Sequence, residues 1–333
     1  MSLFIQRVWF AKIITFLIIS ILIMYICLLF SENGNTNMNA LNSITDLYLL
    51  QQNQTPQFYD RTNGSSRLNR NRLYMNKEHK LIFCFIQKNA NTMFRNLWFA
   101  VQRNDSFIYH IDTRKNKSDP NSEYHKHLHI YNLDNKEILN MRPRNYLRKV
   151  NDSDWIKAVI IRDPLERLLS GFLDRCLWLV ETYGFTKECF GNITKQFSFN
   201  EFVQRMINKT KHRDYITNPH YWPQSWSCQL REYLSEYQFV IKYDYYSIGA
   251  ETLHFLNYVN LSQYYYKWGQ YFNETMFSDT VHVTYNGGND LTSKIDFYKQ
   301  YYTMELAVKC LKLYGEDYRL FNMSYPQWIH YLE

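Results

Sequence analysis

Glycine is scarce in this chain, with 10 among 333 residues. None falls between Gln87 and Thr92, a polar turn between an apolar run and a helical pattern. A Walker A loop needs glycines and a Lys-Ser/Thr pair to wrap a triphosphate. Here Thr92 comes four residues after Lys88, and Ala90 is the nearest small residue. The hydroxyl that would sit beside the lysine to bind magnesium is missing, which argues against an ATPase or kinase. The net charge of +7 is moderate, and no zinc-finger spacing or RNA-binding motif supports a nucleic-acid partner. No internal repeat is found. No small-x-small cleavage site follows the apolar run that ends at Phe30, which argues against a removed signal peptide.

What is present bounds the molecule. The length suits one large α/β domain or two small ones, and 18% aromatic residues can fill a sizeable core. Residues 13–30 are apolar and, with Val8 to Ala11, just long enough to span a bilayer. Arg7 and Lys12 precede them, which predicts a cytoplasmic tail at 1–12 and a retained anchor at 13–30. Residues 31–76 are polar and weakly patterned, a lumenal stem. Residues 77–333 form the expected catalytic domain. Ten Asn-x-Ser/Thr sequons agree with a lumenal position, from Asn53 to Asn322. Cys84 lies in an apolar run and reads as a buried thiol. Cys176, Cys189, Cys228 and Cys310 then allow two disulfides in three pairings. Basic clusters at Arg67 to Lys80, Arg142 to Lys149 and Lys209 to Arg213 together fit an anionic partner.

The most informative stretch is Lys157 to Cys176. Ala158 to Ile161 suits a strand buried on both faces of a parallel sheet. Arg162 stands at its end. Asp163 and Pro164 make a helix start, with Glu166 at the capping-box position. Leu165, Leu168, Leu169, Phe172, Leu173 and Cys176 share one helical face; Arg167, Ser170 and Asp174 share another. Arginine at the carboxyl end of such a strand suits a phosphate. A capped helix with a plain surface arginine would account for the same residues. Leu81 to Ile86 repeats the pattern: strand, polar turn, then a helix through Met93, Phe94, Leu97, Trp98 and Val101. That geometry holds anions, and Lys88 adds a full positive charge.

Further along, Asn200 is expected to cap a helix through Ile207, Gln238 to Lys242 to form a strand, and Glu251 to Val259 a helix. Val281 to Tyr285 alternates like a half-exposed strand. Thr303 to Tyr314 reads as a helix stopped by Gly315. His125, His127 and His129 alternate, but no ligand set accompanies them. Asp152 and Asp154 form a DxD pair, the metal site of many membrane-anchored glycosyltransferases, without the apolar strand such a site should terminate.

Taken together, these stretches resemble the Golgi carbohydrate sulfotransferases, in particular the chondroitin 4-O-sulfotransferase group. Their first motif, approximately PKxxCTNW, reads QKNANTMF here, with Lys88 and Thr92 matching. Their second, RDPxxRxxS, is intact in Arg162, Asp163, Pro164, Arg167 and Ser170. HYWPQ at His220 to Gln224, YDYYSIGAETL at Tyr243 to Leu253 and EDYRLFN at Glu316 to Asn322 resemble further family segments. The similarity runs from about residue 80 to 325.

The resemblance implies an α/β fold, with a central mainly parallel sheet, flanking helices and a phosphate-binding loop, behind a transmembrane helix. It implies a type II Golgi membrane protein using 3′-phosphoadenosine 5′-phosphosulfate (PAPS), without metal. Its acceptor would be a glycan such as chondroitin, an acidic polysaccharide. Gln87, Lys88, Asn89, Ala90, Asn91 and Thr92 would hold the 5′-phosphosulfate; Arg162, Asp163, Arg167 and Ser170 would form the 3′-phosphate segment. Lys88 would neutralise charge on the bridging oxygen. His220 is the candidate base, with His110 and His282 open. Two other readings remain: a glycosyltransferase built on Asp152 and Asp154, and a non-catalytic descendant that binds glycan or nucleotide.

Overall fold

A computed structural model describes residues 73–91, 94, 97–98, 101, 152–184, 186, 188–189, 194–195, 197–211, 218–244, 247–266 and 291–332. Expectations for residues 1–72, Thr92, His110, the three alternating histidines, His282 and Val281 to Tyr285 lie outside them. Among the described residues no helix is long and apolar enough to cross a membrane.

Among the described residues four strands form one sheet in the order β1-β2-β3-β4: β1 Leu73–Asn76, β2 Leu81–Cys84, β3 Ile156–Ile161 and β4 Phe239–Lys242. The first two make an antiparallel hairpin. Asn76 Oδ1 accepts the His79 N–H at 3.0 Å in its turn, and Lys80 takes a left-handed φ of 46°. The sheet thus begins inside the segment read as stem. β2 pairs parallel with β3, and β3 with β4. Every residue of β2 and five of the six in β3 are buried, as expected of strands covered on both faces. Cys84 pairs with Val159, so the loop leaving β2 emerges beside the last residues of β3.

Helix α1 spans Pro164–Phe172. Asp163 Oδ1 accepts the N–H groups of Leu165 and Glu166, both at 3.0 Å, as the sequence implied. The chain then widens into one π turn, Leu173–Trp178, before α2, Leu179–Tyr183. Helix α3 spans Phe199–Lys211. Its cap is Ser198, not Asn200. Ser198 Oγ accepts the Glu201 N–H at 3.2 Å and Glu201 Oε2 accepts the Ser198 N–H at 2.8 Å, a reciprocal capping box. After the short helix α4, Leu230–Tyr233, and β4 come α5, Ile248–Tyr258, α6, Leu291–Lys299, and α7, Met304–Leu320. Helix α7 runs through Gly315, which is buried. It stops where Asn322 adopts φ 48° and the Met323 N–H reaches back to Tyr318 O at 2.9 Å.

Side chains fill both sides of the sheet. On one, Phe83 stacks on Phe94 and meets Trp98 and Phe255. Elsewhere Phe172 of α1 packs on Phe199 and Phe202 of α3, and Phe199 on Tyr302. The cysteine expectation is corrected. Among the described cysteines Cys84 is bonded to Cys228, Cys176 to Cys189, and Cys310 is a buried free thiol. An apolar surrounding marks burial, but burial does not separate a thiol from half of a disulfide.

Candidate anion-binding site

Two loop segments meet at the carboxyl ends of β2 and β3. In the first, φ is positive at Lys88 (69°) and Ala90 (53°) but not at Asn89 between them. Alternation of this kind turns successive N–H groups toward one side and makes a concavity for anions. A helix begins at Asn91, and the Phe94 N–H already bonds Ala90 O at 3.1 Å. Glycine would take these angles freely. Here ordinary residues are held in them by their surroundings.

The holding groups can be named. Asn89 is buried, and its Nδ2 donates to Ile160 O at 2.8 Å and to Gln224 Oε1 at 2.6 Å. Asn91 Nδ2 donates to Gln87 Oε1 at 2.8 Å. Gln224, wholly buried, also accepts the Arg162 N–H at 2.9 Å and donates Nε2–H to Arg162 O at 2.7 Å. One amide therefore clips the end of β3 to the loop after β2. Gln224 itself is fixed by Asp317, whose carboxylate accepts the N–H groups of Gln224 and Ser225 at 2.7 and 2.8 Å.

Arg167 has a different place from the one expected. Its guanidinium is fully buried and donates to three carbonyls: Gln87 at 2.9 Å, Trp222 at 2.7 Å and Pro219 at 3.3 Å. It braces the loop and the His220 segment rather than facing a ligand. Asp163 likewise caps α1, and its other oxygen accepts Tyr318 O–H at 2.7 Å. Burial, then the neighbouring Glu166, pushes its carboxyl up to about 7.

Lys88 and Arg162 both stand at the centre. Arg162 Nη1 donates to Lys88 O at 3.2 Å, and its guanidinium lies 4.8 Å over the Tyr243 ring. Lys88 Nζ meets Asp174 Oδ2 at 3.0 Å, with the lysine side chain 11% exposed. Burial draws the Lys88 pKa down, Asp174 opposes this, and Arg175 and Arg162 add to the fall. Ser170 is buried on α1. A buried hydroxyl, two cations and a concavity of N–H groups form a donor set that fits phosphate or sulfate oxygens.

His220 lies on the adjoining segment. Asn218 Nδ2 donates to Glu188 O at 3.0 Å and Oε2 at 3.3 Å, which leaves Asn218 Oδ1 as the acceptor. His220 Nδ1 is 2.7 Å from that oxygen. Nδ1 therefore donates to that oxygen, and in the neutral ring Nε2 holds the lone pair. Glu188 Oε2, 3.8 Å from Nδ1, can stabilise the imidazolium.

Asp152 and Asp154 sit at the other end of β3. Asp154 pairs with Lys80 at the surface and Asp152 Oδ1 accepts the Asp154 N–H. The six-residue strand between them and Arg162 is ~20 Å long. Among the described residues no group of three or more His, Cys, Asp or Glu is placed to hold a metal. Sequence reasoning passed over Gln224 and Asp317 although both stand in the quoted family-like segments. It put Asp174 on a face with Ser170 without giving it a role, and nothing in the pattern singled out Glu188 or Asn218.

The fold and this site set anion-compatible donors at the carboxyl edge of a mainly parallel sheet, where open α/β sheets bind their ligands. Residues 71–326 match the model of the sulfotransferase family, and the chain belongs to that family. In Caenorhabditis elegans it is similar to the carbohydrate sulfotransferase chst-1, 28% identical over 111 residues, covering 29% of this chain and 34% of the relative. The putative sulfotransferase vep-2 is 27% identical over 185 residues, 54% of each chain. An uncharacterized nematode protein is 25% identical over 170 residues, 49% of this chain and 44% of its own. The chain thus spans about half or less of the length of these relatives. No solved structure matches it at a significant level.

Proposed function

We propose that the protein transfers a sulfuryl group from PAPS to a hydroxyl of a glycan, a glycosaminoglycan such as chondroitin. The observation that carries this reading is the union of Lys88 and Arg162 at one sheet edge, joined by the Arg162 Nη1 bond to Lys88 O. Bound there, PAPS supplies the sulfuryl group. Lys88 neutralises charge at the reacting end, in a setting where a buried cation acts strongly. Arg162 and Ser170 hold the distant phosphate. His220 Nε2 takes the proton of the acceptor hydroxyl, while Asn218 fixes the ring and Glu188 supports its charge. Every one of these charges belongs to the chain, so no metal is called for.

The glycan acceptor is supported by the likeness to a carbohydrate sulfotransferase. Two disulfides accord with an oxidising compartment, and so with a Golgi-lumenal domain behind an anchor at 13–30. The test uses the full chain with radiolabelled PAPS and a panel of desulfated glycosaminoglycans, in excess EDTA. Sulfate incorporation is expected in wild type. Lys88→Ala is expected to lower kcat at least 100-fold, the order of a lost transition-state charge contact. Arg162→Ala should act mainly on donor KM. Incorporation that survives Lys88→Ala would refute the assignment. Binding without transfer in wild type would favour the non-catalytic reading.

A further inference from the structure

We infer that Asp174 is the positioning residue that keeps Lys88 charged and aimed into the site. It touches neither donor nor acceptor in this assignment; it acts through the lysine. The inference rests on the reading of Lys88 given above.

The geometry is specific. Asp174 lies in the π turn, Leu173–Trp178, that interrupts the regular helix after α1. Such widened turns occur often at functional sites. Its side chain is 4% exposed, and its Oδ2 is 3.0 Å from both Lys88 Nζ and Arg175 Nε. A single carboxylate oxygen is therefore shared between two cations from different segments. Arg175 in turn is 3.6 Å from Glu188 Oε2, which lies 3.8 Å from His220 Nδ1. A chain of alternating charge thus runs from Lys88 to the proposed base.

Lys88 needs this support. It is largely desolvated, with Arg175 and Arg162 as like charges nearby and Asp174 as the opposite one. An ammonium so placed tends to lose its proton unless a carboxylate holds it. A neutral lysine cannot offset the charge of a leaving phosphate. Arg175 has an opposing influence: it draws on the same oxygen and repels Lys88 directly. The two neighbours should therefore move Lys88 in opposite directions when removed.

The measurement is pH-dependent acetylation of Lys88 by acetic anhydride, read by mass spectrometry on the full chain without donor or acceptor. Only the neutral amine reacts. At pH 8, Asp174→Asn should raise the Lys88 labelling rate about tenfold, since losing an adjacent opposite charge moves a pKa by a unit or more. Asp174→Glu should restore much of the wild-type rate. Arg175→Gln should slow labelling below wild type, and its side chain is 30% exposed, so the variant is expected to fold. In transfer assays Asp174→Asn should draw the alkaline limb of kcat to lower pH. Unchanged labelling in Asp174→Asn, or faster labelling in Arg175→Gln, would overturn the inference. If Asp174→Asn does not fold, the Arg175→Gln arm decides. Labelling needs no turnover, so it tests the Asp174 assignment whether or not wild type transfers sulfate.

Discussion

Gln224 is the residue on which the two segments of the candidate site depend. Its amide satisfies the Arg162 N–H, the Arg162 carbonyl and Asn89 Nδ2 at once, with no exposure to water. Gln224→Ala leaves the Arg162 N–H and carbonyl buried without it, and Asn89 Nδ2 with Ile160 O alone. At about 1–3 kcal/mol for each orphaned group, the loss of stability should be about 2 kcal/mol or more. Urea unfolding of the variant measures it; a loss below 1 kcal/mol would mean that water or another side chain takes over. Little of this was legible. A glutamine after Trp-Pro carries no periodicity, and its partners lie 62 and 135 residues away. Arg162 and Lys88 were legible because each ends an apolar run, where a charge has few structural excuses. Arg167 misled because arginine near an anion site suits a phosphate, yet the same fork suits three carbonyls.

Helix α1 carries an acid-base consequence through its cap. The folded Asp163 carboxyl titrates near 7 because of burial and then Glu166, against about 4 in an unfolded chain. Folding therefore favours its neutral form. The contribution is fully present below about pH 4 and is lost as pH rises toward 7. Stability should fall by about 1 kcal/mol per pH unit between pH 5 and 7 from this group. Asp163→Asn keeps a capping oxygen and should flatten that slope in denaturant titrations at several pH values. An equal slope in both proteins would count against the assignment. The strands and α1 could be read because apolar runs and a Asp-Pro start are local signals. The π turn could not, since the buried residues Leu173 and Cys176 satisfy an α-helical face equally well. The α7 terminus was misjudged because Gly315 looked like a stop. Tertiary bonds from the flanking tyrosines, Tyr314 O–H to Tyr221 O and Tyr318 O–H to Asp163, tie the helix down on both sides of it.

For the molecule as a whole, the two disulfides brace the same neighbourhood over different spans. Cys84–Cys228 closes a separation of 144 residues and fastens the end of β2 to the segment after Gln224. Cys176–Cys189 closes 13 residues and holds the π turn near Glu188. Loop-closure entropy gives about 5 kcal/mol for the first and about 3 kcal/mol for the second. Paired Cys→Ser replacement should therefore destabilise more at Cys84 and Cys228 than at Cys176 and Cys189. Thermal unfolding of the two double variants would show it, and the reverse order would contradict it.

The long bond also sets a timetable. As the polypeptide is made, Cys84 emerges first among the described cysteines, followed by Cys176 and Cys189, and only afterwards by Cys228. Until then the thiols offered to Cys84 are those that belong to each other. Correct pairing must come from waiting or from exchange. Arg162 is likewise made well before Gln224, which clips it, and before Asp317, which fixes Gln224. A nascent chain can carry both candidate segments and still have no assembled site; Asp317, in the last quarter of the sequence, completes it.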